Sequence, residues 1–185
     1  MQGSILEIPE FRTRIKRFSI EEYHSLGAKG EIGENVELIQ GYIIQKIPKS
    51  PLHTQIVNYL FRVFLPLESR GFLVHKEDPI TIHDSEPEPD ISIVEKISID
   101  KNSEHPKTAR LVIEVAVTSY ELDLSKLEVY ASALIPEVWI IVPTRKEIEV
   151  YSNILDNHYI TKKILSLDES IQFEGISLDI KSIFS

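Results

Sequence analysis

Two short apolar runs constrain this chain most, because each carries an acid where apolar residues are expected. Asp90 opens Asp90-Ile91-Ser92-Ile93-Val94, and Glu114 sits in the middle of Leu111-Val112-Ile113-Glu114-Val115-Ala116-Val117. Runs of this length, rich in Val and Ile, read as buried strands. A carboxylate in such surroundings is costly unless something pairs with it or it binds a metal. Adjacent strands would set Asp90 beside Glu114, and two carboxylates held that close repel. A divalent cation relieves the repulsion, and a small set of oxygen ligands suits Mg²⁺ or Mn²⁺. Lys126 follows closely enough to bring an amine to a phosphate or a polarised water.

The rest of the chain builds a frame for this pair. Its 185 residues suit one domain with a real core. The expected division is an arm over residues 1–17 and a single domain over 18–185. Ser19-Ile20-Glu21-Glu22 is a capping box that starts a short helix, ended by Gly27 and Gly30. Val36–Ile39 and Tyr42–Ile47 read as a hairpin turning at Gln40-Gly41. His53–Leu65 shows helical spacing on Ile56, Val57, Leu60, Phe61 and Phe64 after a loop at Pro48–Pro51. Phe72–His75 and Pro79–His83 read as strand pieces, and Ile97–Lys107 as a long surface loop.

Leu111–Val117 is apolar on both faces, as in a central strand of a mixed or parallel sheet. Asp123 reads as the cap of the next helix, whose apolar face is Leu127, Tyr130, Ala131 and Leu134. Lys126 and Tyr130 share a side of that helix. Glu137–Val142 then returns as a strand, the pattern of a parallel crossover. Glu147–Tyr151 alternates as a half-exposed strand. His158–Ile164, Ile171–Phe173 and Ile176–Ile180 are further strand candidates.

The order of these pieces resembles the PD-(D/E)XK nuclease superfamily. More narrowly, it is similar to a family of small restriction-endonuclease-like proteins formerly catalogued as a domain of unknown function. The resemblance spans Phe18 to Tyr151. It rests on Glu37-Leu38-Ile39-Gln40-Gly41, Ser50-Pro51-Leu52-His53, Pro89-Asp90, Ile113-Glu114-Val115, Asp123 with Lys126 and Tyr130, and Ile135-Pro136-Glu137-Val138-Trp139. It implies an α/β (α+β) restriction-endonuclease-like core, a central mixed sheet flanked by helices. It also implies metal-dependent hydrolysis of phosphodiester bonds in nucleic acid, with DNA the expected substrate, Mg²⁺ or Mn²⁺ the cofactor and a homodimer the assembly.

Under this resemblance Asp90, Glu114 and Lys126 are the catalytic set. Asp90, Glu114, Glu37 and the Val115 carbonyl are the metal ligands, and His53 and Tyr130 lie near substrate. Taken without it, Glu37 reads as a solvent-facing strand residue, His53 as a surface or capping histidine, and Tyr130 as core. The superfamily pattern places a lysine two residues after the second acid, where this chain has Ala116. In the narrower family the basic residue moves to the following helix, which points to Lys126.

Composition narrows the alternatives. The chain has no cysteine, which removes disulfides, thiolate zinc sites and cysteine nucleophiles. No apolar run approaches a membrane span and the first residues lack the pattern of a signal peptide, so a cytoplasmic location is expected. Phosphate-loop, nucleophile-elbow, dinucleotide and His-Glu-x-x-His motifs are absent. The formal charge of −9 sits awkwardly with a polyanionic partner. The densest basic stretch, Arg12 to Arg17, reads as a solvated arm. Two other readings therefore stand beside the enzyme: a weak or inactive binding protein on a nuclease fold, and an interaction protein whose acids pair with arginines such as Arg110.

Overall fold

A computed structural model describes residues 8–96 and 105–185. The loop expected over 97–107 falls mostly outside the described residues. Within the expected arm, Pro9–Arg12 (α1) forms one helical turn. Helix α2, Ile20–Ala28, starts at the capping box: the Glu22 amide donates to Ser19 Oγ and the Ser19 amide to Glu22 Oε2. It runs through Gly27, and Gly30 follows at a φ of 70°. Strands β1, Val36–Ile39, and β2, Tyr42–Gln45, pair as the expected hairpin around Gln40 and Gly41, both at positive φ.

Helix α3 spans Pro51–Phe64, two residues earlier than its apolar pattern starts. Ser50 caps it by accepting from the His53 amide, and Pro51 takes the first turn, where no amide is needed. Pro66 falls in a 3-10 segment, Leu65–Arg70, and Gly71 closes it at a φ of 93°. Strands β3, Phe72–Lys76, β4, Ile91–Glu95, and β5, Leu111–Val115, follow.

Two short helices, α4 (Tyr120–Ser125) and α5 (Leu127–Ser132), lead to β6, Glu137–Val142. Strands β7, Glu147–Leu155, and β8, His158–Leu165, form a hairpin about Asp156-Asn157, both left-handed. A small ribbon of β9, Ser170–Phe173, and β10, Ile176–Asp179, precedes α6, Ile180–Ile183.

The central sheet has six strands in the order β3-β4-β5-β6-β7-β8. Only β5 and β6 are parallel, joined through α4 and α5; the other neighbours are antiparallel. This is the expected mixed sheet flanked by helices. One face packs against α3, the β9–β10 ribbon and α6, with Phe64, Trp139 and Phe173 in mutual ring contact. The other packs against α5, the first hairpin and the Ile80–Ile82 segment. Burial of both faces explains why β5 reads as a continuous apolar run.

Three expectations need correction. Pro79–His83 is not a strand. Ile80 donates to the Pro87 carbonyl and Ile82 pairs with Ser85 across a turn at His83, so the segment folds back on itself. Leu134 leaves the apolar face of α5, because the chain has already turned there at a φ of 56° and exposes it. Asp123 does not cap its helix: α4 begins at Tyr120 after Ser119, and Asp123 lies buried within it. No helix among the described residues is long and apolar enough to cross a membrane.

Gly41 joins the first hairpin to the domain. Its carbonyl accepts from Phe18 and its amide donates to Asp84. A Cβ there would stand 2.7 Å from the Cβ of Arg17, at a φ of 76° that L residues resist. Gly41→Ala is expected to destabilise the fold by about 1–3 kcal/mol, read as a lower denaturation midpoint with unchanged m-value.

Candidate functional site

The sheet register brings the two acids together. Ile91 pairs with Ile113 in antiparallel β4 and β5, so Asp90, one residue before β4, falls opposite Glu114. The Asp90 amide lies 3.4 Å from Glu114 Oε2, and the Val115 amide donates to Asp90 Oδ2 at 2.7 Å. These main-chain links fix one oxygen of each acid. The other oxygen of Asp90, Oδ1, faces His53 Nε2 at 3.0 Å from the start of α3.

Lys126 arrives from the junction of α4 and α5. Its Nζ lies 3.0 Å from Glu37 Oε1, 3.4 Å from Glu114 Oε1 and 3.9 Å from Asp123 Oδ1. The ammonium missing at Ala116 is thus supplied to Glu114 by another element. Tyr130, one helical turn further on, is fully buried and donates to Glu114 Oε1 at 2.6 Å. That contact makes it a positioning group for the carboxylate and leaves it no exposed surface for substrate. Glu37, expected from strand pattern alone to face solvent, is buried. It accepts from the Glu88 amide at 3.3 Å besides meeting Lys126. Asp123 accepts from Ser119 Oγ.

All of these acids border one cavity of about 80 Å³ at the end of the sheet. Glu37, Glu77, Glu88, Asp90, Glu114 and Asp123 line it against Lys46, Lys49 and Lys126, so among the described residues carboxylates outnumber ammonium groups six to three. Oxygens of Glu77 and Asp90 and a ring nitrogen of His53 lie within 4.8 Å of one another. Ligands on one octahedral Mg²⁺ or Mn²⁺ sit about 3 to 4 Å apart, so small side-chain rotations suffice to share an ion. The donor set fits a divalent cation: two carboxylates, an imidazole whose Nε2 faces Asp90, and an excess of negative charge.

The charge crowding shows in protonation. Burial first, then Asp123 and Asp90, push the Glu114 carboxyl up to about 8, despite the opposing pull of Lys126 and the Tyr130 hydroxyl. Burial also pushes Asp123 up to about 6. Burial alone would lower the pKa of Lys126, but Glu114, Glu37 and Asp123 outweigh it and raise it, so Lys126 stays an ammonium.

Sequence reading missed three acids: Glu77, Glu149 and Glu88, the last of which lines the pocket and pairs with Lys46. Glu77 follows β3 directly at a φ of 60°, and nothing in its neighbours marks it. Glu149 reads as the exposed half of an alternating strand, yet it is buried on β7. It accepts from Tyr120 at 2.9 Å, Tyr151 at 2.6 Å and Arg145 at 2.6 Å, with Lys162 at 2.8 Å. Burial would raise its pKa, but bonds from Lys162, Tyr151 and Tyr120 hold it below the usual range. Tyr120 is the first residue of α4, so this network ties the helix of Asp123 to the sheet. Arg110 pairs instead with Glu95 and Glu174, and among the described residues no arginine meets Asp90 or Glu114. The reading in which arginines neutralise the acids therefore loses its basis.

A six-stranded mixed sheet covered on both faces by helices and hairpins is a restriction-endonuclease-like α/β fold. The chain belongs to the Uma2 family, described as "Putative restriction endonuclease", whose pattern matches residues 20–181. A solved structure described as a "putative nuclease belonging to DUF820 from Anabaena variabilis ATCC 29413" superposes with a TM-score of 0.68. That match covers 90% of this chain and 97% of the other at 20% identity, which shows a shared fold. No curated protein matches the chain.

The raised Glu114 predicts a pH signature for the metal-free protein. Between an ordinary 4.5 and about 8 the folded state keeps a proton that the unfolded chain has lost. Stability therefore falls as pH rises through this window. Glu114→Gln is expected to flatten that fall, measured as denaturation midpoints from pH 5 to 9.

Proposed function

We propose that the pocket is a metal-dependent phosphodiesterase site acting on nucleic acid, with DNA as the first substrate to test. The observation that carries this reading is the convergence of Asp90, Glu77 and His53 beside Glu114 and an ammonium group. Asp90, His53 and Glu77 would hold the cation, with Glu114 and the Val115 carbonyl as further ligands. Glu37 serves better as the partner that holds Lys126, since its Oε1 already faces that ammonium. An imidazole among oxygen ligands favours Mn²⁺ over Mg²⁺.

Such a cation lowers the pKa of a bound water and offsets charge on a phosphate oxygen. The chain's own residues do the rest. Main-chain amides hold Asp90 and Glu37, so neither carboxylate must reorganise when substrate arrives. The acids around Lys126 raise its pKa, which suits a fixed positive group near developing negative charge. Tyr130 keeps Glu114 oriented. The domain spans 18–185 with 1–17 as an arm, and we take the working form to be a homodimer.

The buried, already paired state of Lys126 favours one other reading, a nuclease-fold protein that binds nucleic acid and cuts weakly or not at all. The purified protein is expected to cut supercoiled DNA with Mn²⁺, and more slowly with Mg²⁺. Asp90→Asn should lower the rate by about a hundredfold or more. RNA in a parallel assay identifies the preferred polymer. Binding of either polymer without cutting would decide for the second reading, and an unchanged rate in Asp90→Asn would remove this pocket from the reaction.

A further inference from the structure

The pocket contains two kinds of lysine. Lys126 is sealed in, with a side chain only 6% exposed, between acids that are themselves buried. Lys49 stands at the mouth, 44% exposed, in the loop between β2 and α3, with Nζ 2.9 Å from Glu77 Oε1. Its partner is one of the three side chains whose ligand atoms converge with those of His53 and Asp90. Lys49 thus occupies a carboxylate that a cation in the pocket would claim.

We propose that Lys49 is a displaceable cation: metal entering beside Glu77 releases it, and the freed ammonium takes a phosphate of the nucleic acid at the pocket mouth. This rests on the reading of His53, Glu77 and Asp90 as ligands of a divalent cation. The physical reason is charge exchange. A divalent ion attracts Glu77 more strongly than one half-exposed ammonium does, and the two cations repel each other. An exposed pair contributes little and is easily given up. Once released, Lys49 is a mobile positive group beside the metal, where a phosphate with its own counterions would dock. Metal binding and phosphate binding are then coupled through one side chain, and the pocket admits a polyanion well only after the metal is in place.

The two halves predict effects of opposite sign. Lys49→Met removes the competitor, so Mn²⁺ measured by calorimetry without nucleic acid is expected to bind about three- to fivefold tighter. The same variant with Mn²⁺ is expected to bind a DNA duplex with methylenephosphonate linkages about fivefold more weakly. Those linkages keep their charge and resist hydrolysis, and the salt slope should drop by about one. Lys46→Met is the control for lost charge, because Lys46 pairs at 2.7 Å with Glu88, outside the converging group. Its Mn²⁺ affinity should change less than twofold, and Glu77→Gln should abolish the gain from Lys49→Met.

Equal tightening in both lysine variants overturns the displacement and leaves the cation site standing. Unchanged binding of the duplex by Lys49→Met overturns the phosphate role. A wild-type protein that binds no Mn²⁺ overturns both this inference and the metal reading beneath it.

Discussion

Mutual repulsion of carboxylates is the constraint that the structure is built to contain. Among the described residues six acids border one small cavity, and three of them, Glu37, Glu114 and Asp123, lie within 4 Å of a single buried ammonium on Lys126. Each acid comes from a different element: the first hairpin, the central strand and the helix that follows it. Lys126 therefore ties layers on the Glu114 side of the sheet together by charge, where apolar packing alone would not place polar groups. Breaking such a pairing leaves an uncompensated buried charge, which is far costlier than the pairing is favourable.

The remaining elements hold the acids in position. The β4–β5 register sets Asp90 against Glu114, and the main-chain amides of Val115 and Glu88 each hold a carboxylate oxygen. Lys126 in turn depends on the α4–α5 junction, and the start of α4 is clamped to β7 by the Tyr120–Glu149 contact under the stacked Arg145 guanidinium. The ammonium that faces Glu114 is carried by the α4–α5 junction and not by the central strand. Its position thus depends on tertiary contacts as well as on the strand register.

How much of this was legible in the sequence follows from the signal each residue leaves. An acid inside a Val- and Ile-rich run is visible because its surroundings are uniform, so Asp90 and Glu114 stood out. Lys126 has no such background: its place soon after the second run made it a candidate, and only the resemblance implied a catalytic role for it. Glu149 was hidden because Glu147-Ile148-Glu149-Val150 is what an amphipathic strand looks like. The side it faces is covered in part by Tyr120 from α4 and Lys162 from β8, and periodicity carries no information about that cover. Glu77 was hidden because its role comes from where β3 ends relative to α3, a fact of tertiary geometry. Helix α3 began earlier than its apolar face because a serine cap and a proline start a helix without needing apolar residues.

The net charge of −9, which argued against a polyanionic partner, changes meaning once the acids are located. A share of the excess is concentrated in the pocket, where it cannot be spread into solvent. The metal-free protein relieves it with a proton on Glu114 and with rim lysines folded onto Glu77 and Glu88. A divalent cation would do the same work better, and would release both the proton and a lysine in doing so. On this reading the acidic pocket repels a phosphate chain until the ion arrives, then offers it a positive centre with at least one free ammonium beside it. Acidity and the proposed action on nucleic acid would then cease to conflict: the first would be the resting state of the site, and the second would require the ion that the acids attract.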